Sequence, residues 1–440
     1  MTALPFTSIA IFGAGLSGRA AYQRAMSLGI KAVIADDKLI TDKAIAPADC
    51  LSPDKWAWDE IDCLVLSPGV PHSHPAPHEI VQMANAHQKE VISEVEFALR
   101  TGTWGQMVVI TGTNGKSTTT ALTAHILISA GLSVSVGGNL GMPLSLLEEQ
   151  KEDGITVVEL SSYQLDLTPS LAPTISVILN LSPDHLDRHG GFDGYKNAKL
   201  NALRALDDKA VGLVSDDSPV MDEIYQWAVA SCGAKIEQIG AASLAPCRFE
   251  NPYLKGAHNA QNASFAVRIA RAFNIADEVI EAALNSFEGL AHRSRPVARD
   301  GARLFVNDSK ATNADATSRA LGAYDDIIWL AGGMAKDDGL AKCIAYLSHV
   351  RAAYFYGECA ADFSTQTHGY IPSSVHKTLD DAFEKAMDEC PDEAVILLSP
   401  AAASFDQYPN FSARGDHFEA LVHSYVNSQT KGEAYARQNR

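Results

Sequence analysis

Residues 111 to 120, TGTNGKSTTT, carry the residue types that hold a nucleotide phosphate. Gly112 and Gly115 let successive backbone N–H groups converge on an anion, Lys116 can reach the β- and γ-phosphates, and Ser117 offers a hydroxyl to Mg²⁺. Thr113, Asn114 and Thr118 complete the loop and open the next helix. The apolar run MVVIT precedes the loop, and the pattern after it predicts a helix over 117–130 that Gly131 stops. Strand, loop and helix together point to ATP. The spacing is compressed, because only Thr113 and Asn114 separate Gly112 from Gly115, whereas the common phosphate loop has four residues before its GK.

Ligands of open parallel sheets gather outside the carboxyl ends of strands, so the residues that end ITVVEL and ISVILNL come next. Glu159 stands at the first end and SPDHLDRH follows the second. Glu159 can hold Mg²⁺, directly or through water, or simply face solvent. His185 and His189 lie among Asp184, Asp187 and Arg188, where an imidazole could meet metal, substrate or only water. FVNDSKATN, LAGGMAK and LLSPAAASFDQ each follow a later apolar strand, and they place Asp308, Lys310 and Lys336 at strand ends suited to anions and ammonium groups.

A second glycine turn, GAGLSG with Gly13, Gly15 and Gly18, follows an apolar strand and precedes a helix, with Asp36 roughly 20 residues on. Alone it reads as a dinucleotide site of a nicotinamide-dependent dehydrogenase. Its physics selects a diphosphate at a helix N-terminus and a ribose near a carboxylate, and a UDP-linked substrate offers both. Two diphosphate sites in one chain, one with a phosphate-loop lysine, favour ATP plus a nucleotide-linked substrate over hydride transfer. A non-catalytic nucleotide sensor is the other rival. SPGVPHSHPAPHEI carries His72, His74 and His78, and its prolines describe a solvated turn rather than a metal site.

These loops need a frame of parallel sheets, and apolar strands alternating with helical patterns supply it. SIAIF, KAVIA and IDCLVL form a first block, residues 1–97. MVVIT, ITVVEL and ISVILNL form a second, residues 98–300. ARLFVND, DDIIWLAGG, AAYFYGE and AVILLSP form a third, residues 301–440, ending in a polar tail, KGEAYARQNR, expected to fray. The expected fold is therefore α/β, and 440 residues suit two or three domains. The 46% hydrophobic and 20% charged composition is globular, and the net charge of −18 argues against a general nucleic-acid surface. No apolar run is long enough to span a membrane and no leader peptide opens the chain, so a cytoplasmic protein without membrane insertion is expected. Seven scattered cysteines without a CxxC pair read as reduced thiols.

With GAGLSG, SPGVP, TGTNGKSTTT, GGNLG, ELSSYQL, DHLDRH, AKL, GAHNAQN, AHRSR, NDSKATN and LSPAAASFDQY in this order, the chain resembles the Mur ligases over essentially its whole length. In NDSKATN and SPAAASFDQYPNF it resembles the D-glutamate-adding members. The DNPR-type signature of the diamino-acid-adding members is absent. Folylpolyglutamate synthases share the GTNGK loop but begin with it, without a block like residues 1–97.

The resemblance implies three domains: a Rossmann-like domain for the UDP-substrate, a central P-loop-type ATPase domain, and a Rossmann-like C-terminal domain for the amino acid. It implies a monomer that joins D-glutamate to UDP-N-acetylmuramoyl-L-alanine through an acyl phosphate, in a cytoplasmic step of peptidoglycan synthesis. ATP and two Mg²⁺ ions are the implied cofactors. Lys116, Glu159, His185 and Lys199 would be catalytic. Ser117 and Glu159 would hold one Mg²⁺, while Glu159, His185 and Lys199 would surround the second. The lysine matching Lys199 is carbamylated in the family; Lys196 is its neighbour, and the AKL context favours Lys199. Asn262, Arg293 and Asp308 would join the loop residues on ATP. Leu16, Ser17, Asp36, Asn139 and His185 would meet the UDP-substrate, and Thr312, Lys336, Ser404 and Phe411 the D-glutamate. The chain departs from familiar members at Asp37 and Lys38 on the uracil side and at Phe405 after Ser404.

Overall fold

The computed structural model describes residues 4–38, 40, 42, 45–46, 48–335 and 339–438. It divides into two compact units, residues 1–248 with 261–284, and residues 249–260 with 285–440. The α/β class expected from the sequence is present in both.

The first unit holds two sheets. One is built from β1 (Ser8–Phe12), β2 (Lys31–Ala35), β3 (Cys63–Leu66) and β4 (Glu90–Ser93) in the order β2-β1-β3-β4, all parallel. Ile9 and Ile11 pack into a cluster on one face while Ala10 and Phe12 pack on the other. Burial on both faces explains why SIAIF is a continuous apolar run rather than an alternating one. The other sheet comprises β5 (Trp104–Thr111), β6 (Val134–Gly138), β7 (Gln150–Glu159), β8 (Ile175–Ile178), β9 (Val211–Ser215) and β10 (Lys235–Ile239), ordered β10-β9-β8-β5-β7-β6 and again parallel. β5 lies between β7 and β8, so the chain leaves it toward one side and later returns on the other. Such a reversal opens a crevice at the carboxyl end of the central strand. Thr111, Glu159 and the segment after Ile178 all arrive there.

The second unit contains β11 (Arg295–Asp300), β12 (Arg303–Asn307), β13 (Ile327–Gly332), β14 (Met334–Ala335), β15 (Val350–Tyr356), β16 (Ser373–His376), β17 (Val395–Leu398) and β18 (Ala402–Ala403). Its main sheet runs β11-β12-β17-β13-β15-β16, with only the β11–β12 pair antiparallel, and β14 pairs with β18. β12, β17 and β13 are neighbours, so NDSKATN, SPAAASF and the start of LAGGMAK emerge side by side.

Two expectations change. Of the tail KGEAYARQNR, expected to fray, residues 431–438 continue the helix Phe411–Gln438, as its strong helix formers allow, and Asn439 and Arg440 lie outside the described residues. The histidine-rich turn is not simply solvated: His72 lies 3.6 Å from Asp166, His78 caps the helix Glu79–Ala86 through Ile80 N–H, and His74 packs against Gly190. None of the seven cysteines forms a disulfide among the described residues. Among the described residues no helix is long and apolar enough to cross a membrane.

Candidate active site

Gly112 (φ 148°) and Gly115 (φ 84°) take backbone conformations that side chains disfavour. A Cβ on Gly115 would fall 2.4 Å from Asn262 Oδ1, which places Asn262 against the loop. Lys116 begins the helix Lys116–Ser129, and its Nζ donates to Thr113 O at 2.7 Å, across the loop. Ser117 Oγ donates to Glu159 Oε2 at 2.5 Å, and Asn139 Nδ2 donates to Glu159 Oε1 at 2.8 Å. Glu159 is buried at the end of β7, so both its oxygens are turned inward. Thr118 follows in the same helix, partly exposed.

Lys199 lies on the helix Phe192–Arg204 and is buried. Its Nζ is 2.8 Å from Gly112 O, 3.4 Å from Thr111 Oγ1 and 4.7 Å from the centre of the Tyr195 ring. Burial holds its ammonium well below the usual lysine range; Lys116 pushes the same way, while Asp184 and Glu159 oppose. Lys196, three residues earlier, pairs instead with Asp193 at 3.2 Å. The geometry thus brings Lys199 to the phosphate loop.

His185 has a left-handed backbone (φ 53°), caps the short helix Leu186–His189, and sets its exposed ring 5.3 Å from Tyr163. His189 is buried, 2.9 Å from Ser162 Oγ and stacked on Tyr163, and burial lowers its pKa to about 4. In the first sheet, Leu16 is 67% exposed and Ser17 is partly exposed, at the start of the helix Leu16–Leu28. Asp36 accepts from Ala14 N–H at 2.6 Å and from Lys38 N–H at 2.9 Å, so its carboxylate closes on the glycine turn. Ser67 Oγ donates to Gly13 O at 2.7 Å, and Arg188 donates to the carbonyls of Gly69 and Pro68. SPG and DHLDRH are thereby tied together.

The second unit gathers its own cluster at the ends of β12, β13 and β17. Buried Asp308 accepts from Ser294 N–H at 2.9 Å and Ser399 Oγ at 2.8 Å. Burial pushes its carboxyl up to about 6 against these bonds and nearby Arg293. Arg293 is bracketed by two non-glycine residues with left-handed backbones, His292 (φ 61°) and Ser294 (φ 45°). Lys310 Nζ sits 4.1 Å from the centre of the Phe411 ring, and Thr312 N–H donates to Lys310 O. Ser404 is buried, and its carbonyl accepts from Tyr408 N–H at 2.8 Å. Lys336 lies outside the described residues.

Residues 110–246 match the model of the Mur ligase middle domain. The UDP-N-acetylmuramoylalanine–D-glutamate ligase of Nitrobacter winogradskyi is 38% identical, covering 96% of this chain and 97% of its own. The protein of the same name from Rhizobium meliloti is 40% identical over 95% of this chain and 98% of its own. The chain belongs to the Mur ligase family. Among solved structures, the UDP-N-acetylmuramate-alanine ligase of Thermotoga maritima shares the fold of this Mur ligase at a TM-score of 0.60 and 16% identity, over 96% of this chain and 99% of its own. A folylpolyglutamate synthase/dihydrofolate synthase of Yersinia pestis aligns at 0.54 and 16%, over 73% of this chain and 89% of its own.

Several residues that organise the ligase's two clusters escape a motif reading. Asn180 pairs with Asn114 through both amide atoms, at 2.8 and 2.9 Å, and its carbonyl accepts from Thr113 N–H. Thr113 Oγ1 lies 3.1 Å from Tyr195 OH and accepts from Ser182 N–H at 3.0 Å. Arg414 is wholly buried in the helix Phe411–Gln438 and donates to Ser309 Oγ, Ser309 O, Gly332 O and Ala402 O. One guanidinium thus fastens the segments after β12 and β17 to the last residue of β13. Asn180 lies inside ISVILNL and Ser182 opens SPDHLDRH, while Arg414 stands just after SPAAASFDQYPNF, outside every motif.

Oxygen donors suit a hard cation, and Ser117 and Glu159 offer adjacent oxygens at the phosphate loop. Mg²⁺ keeps several waters and takes one or two protein oxygens beside phosphate, which this pair fits. Lys199 as an amine or ammonium offers no such oxygen. Among the described residues no group of three or more His, Cys, Asp or Glu side chains is arranged around a metal position.

Proposed function

We propose that this Mur ligase uses ATP to join D-glutamate to UDP-N-acetylmuramoyl-L-alanine, in a cytoplasmic step of peptidoglycan synthesis, as a monomer. The relatives' shared name supports the substrates. The observation that carries the chemistry is the meeting of Ser117, Glu159, Lys116 and Lys199 around Gly112. A free carboxylate is a poor acyl donor because its leaving group would be oxide, so its oxygen first bonds to the γ-phosphorus as the bond to ADP breaks. The amine of D-glutamate then attacks the acyl carbon of this phosphate anhydride, phosphate leaves, and a proton is lost from nitrogen. Lys116 and the loop N–H groups stabilise the charge on the transferring phosphoryl group. When bound, Mg²⁺ would add charge neutralisation there, held by Ser117 and Glu159.

A second Mg²⁺ position near Glu159 and His185 requires an oxygen from Lys199. Burial favours its neutral amine, which can add to CO₂, forming an N–C bond and releasing one proton. Residues 1–97, 98–300 and 301–440 are the proposed domains, with Leu16, Ser17, Asp36 and Asn139 assigned to the UDP-substrate. Asn262, Arg293 and Asp308 are assigned to ATP, and Thr312, Lys336, Ser404 and Phe411 to D-glutamate.

The test is phosphate release from ATP with UDP-N-acetylmuramoyl-L-alanine and a panel of D- and L-amino acids. D-Glutamate is expected to stimulate it selectively. Stimulation by another amino acid in its place would overturn the substrate assignment.

A further inference from the structure

Asn307 ends β12 with its side chain fully buried. Its Nδ2 lies 3.1 Å from Gly415 O, 2.9 Å from Glu419 Oε1 and 3.0 Å from His292 Nδ1, while its Oδ1 accepts from Ser309 N–H at 3.1 Å. A carbonyl and a carboxylate only accept, and the Ser309 amide only donates, so the orientation of the Asn307 amide is determined. Nδ2 carries two hydrogens for these three acceptors, so one is shared, and an amide nitrogen itself accepts nothing; with Glu419 Oε1 3.9 Å from His292 Nδ1, beyond hydrogen-bond reach, an unprotonated Nδ1 is the form that fits the contact, which puts the imidazole proton on Nε2, 3.4 Å from Asp416 Oδ1.

This network reaches both halves of the cluster. His292 directly precedes Arg293, and Lys310 N–H donates to the His292 carbonyl at 3.0 Å. The neighbouring Asp308 holds Ser294 on the other side of Arg293. Consecutive side chains at the end of β12 thus pin the two left-handed residues that bracket Arg293. On the helix side, Gly415 and Glu419 lie one and two turns beyond Phe411, whose ring meets His292 edge-on at 6.4 Å. Gly415 admits the imidazole, since a Cβ there would fall 2.2 Å from Nδ1.

We propose that Asn307 is a positioning residue that sets Arg293 and Phe411 together by holding His292 as the Nε2-protonated tautomer. The proposal rests on the assignment of Arg293 to ATP and Phe411 to D-glutamate given above. A buried amide that served only the helix would change stability without separating the substrates.

The experiment uses the full chain. Asn307→Asp keeps the shape but turns the donor into an acceptor facing Glu419, Gly415 O and His292. It is expected to raise KM for both ATP and D-glutamate by about tenfold, the equivalent of one lost and unsatisfied bond, with KM for the UDP-substrate within about twofold. Asn307→Asp combined with Glu419→Gln lets the new carboxylate accept from the glutamine amide and is expected to restore stability but neither KM, because an acceptor still faces His292 Nδ1. A rise in only one of the two KM values, an equal rise in all three, or recovery of both KM values in the double variant overturns the proposal. Should Asn307→Asp fail to fold, ¹⁵N NMR of labelled histidine in the wild-type chain decides, because a His292 protonated on Nδ1 excludes the network. That spectrum needs no substrate, so the network is tested even if D-glutamate fails to stimulate phosphate release.

Discussion

Glu94 is a buried carboxyl whose replacement should stabilise the protein in a way that depends on pH. It opens the helix Glu94–Thr101 at 2% exposure, and Oε1 accepts from Ser145 N–H at 2.6 Å. Neither Oε2 nor Ser145 Oγ has a hydrogen-bond partner among the described residues. Burial pushes the carboxyl from 4.5 up to about 7. The folded state therefore keeps a proton that the unfolded state has released, so stability falls as pH rises from 4.5 to about 7 and stays reduced above that. A shift of roughly two to three units at about 1.4 kcal/mol each amounts to about 3 kcal/mol. Glu94→Gln replaces a neutral acid with a neutral amide at pH 5, where the change should stay within about 1 kcal/mol, but removes an ionised group at pH 8, where the variant should be more stable by up to about 3 kcal/mol. Urea unfolding of both proteins between pH 5 and 8 reads the difference. A gap that does not widen with pH, or a glutamine variant weaker at pH 8 than at pH 5, would refute the reasoning.

Three further outcomes are expected. Lys199→Ala should abolish D-glutamate-dependent phosphate release, and small carboxylates should restore part of it; an unaffected variant removes Lys199 from the site. Asn180→Ala unpairs two backbone groups of the phosphate loop at roughly 1 to 3 kcal/mol, so KM for ATP should rise about tenfold while that for D-glutamate holds. An unchanged KM for ATP would remove Asn180 from the loop's support. Arg414→Lys replaces a fork that reaches four acceptors with one ammonium, and should lower the unfolding free energy of its unit by about 3 kcal/mol in a urea titration. An unshifted midpoint would show that the fastening does not matter.

The phosphate loop was legible because its chemistry is local: Gly112, Gly115, Lys116 and Ser117 stand within six residues and announce their backbone requirements. Glu159 was legible from its place at the end of an apolar strand. Lys199 needed the resemblance, since Lys196 has the same residue type one helical turn away, and only the fold shows which side faces Gly112. Asn180, Asn307 and Arg414 were not legible, because their partners lie about 66, 15 to 112 and 12 to 105 residues away and their types are ordinary. β4 is four residues long and begins with an exposed glutamate, too short and mixed for periodicity to mark it. The histidine turn was misjudged because proline and glycine predict a turn but not what packs against it.

The Arg414 fastening has a consequence for the order in which the protein is made. The three places it fastens are the end of β13 and the segments after β12 and β17, yet the guanidinium that joins them comes from residue 414 of a 440-residue chain. A chain emerging N-terminus first can complete both sheets of the first unit and pair β12 with β17 while those loops still lack their common donor. The strand-end loops of the third sheet therefore reach their final arrangement only when the last helix docks. A nascent chain stalled before residue 411 would carry a finished phosphate loop and an unfinished strand-end cluster in its second unit.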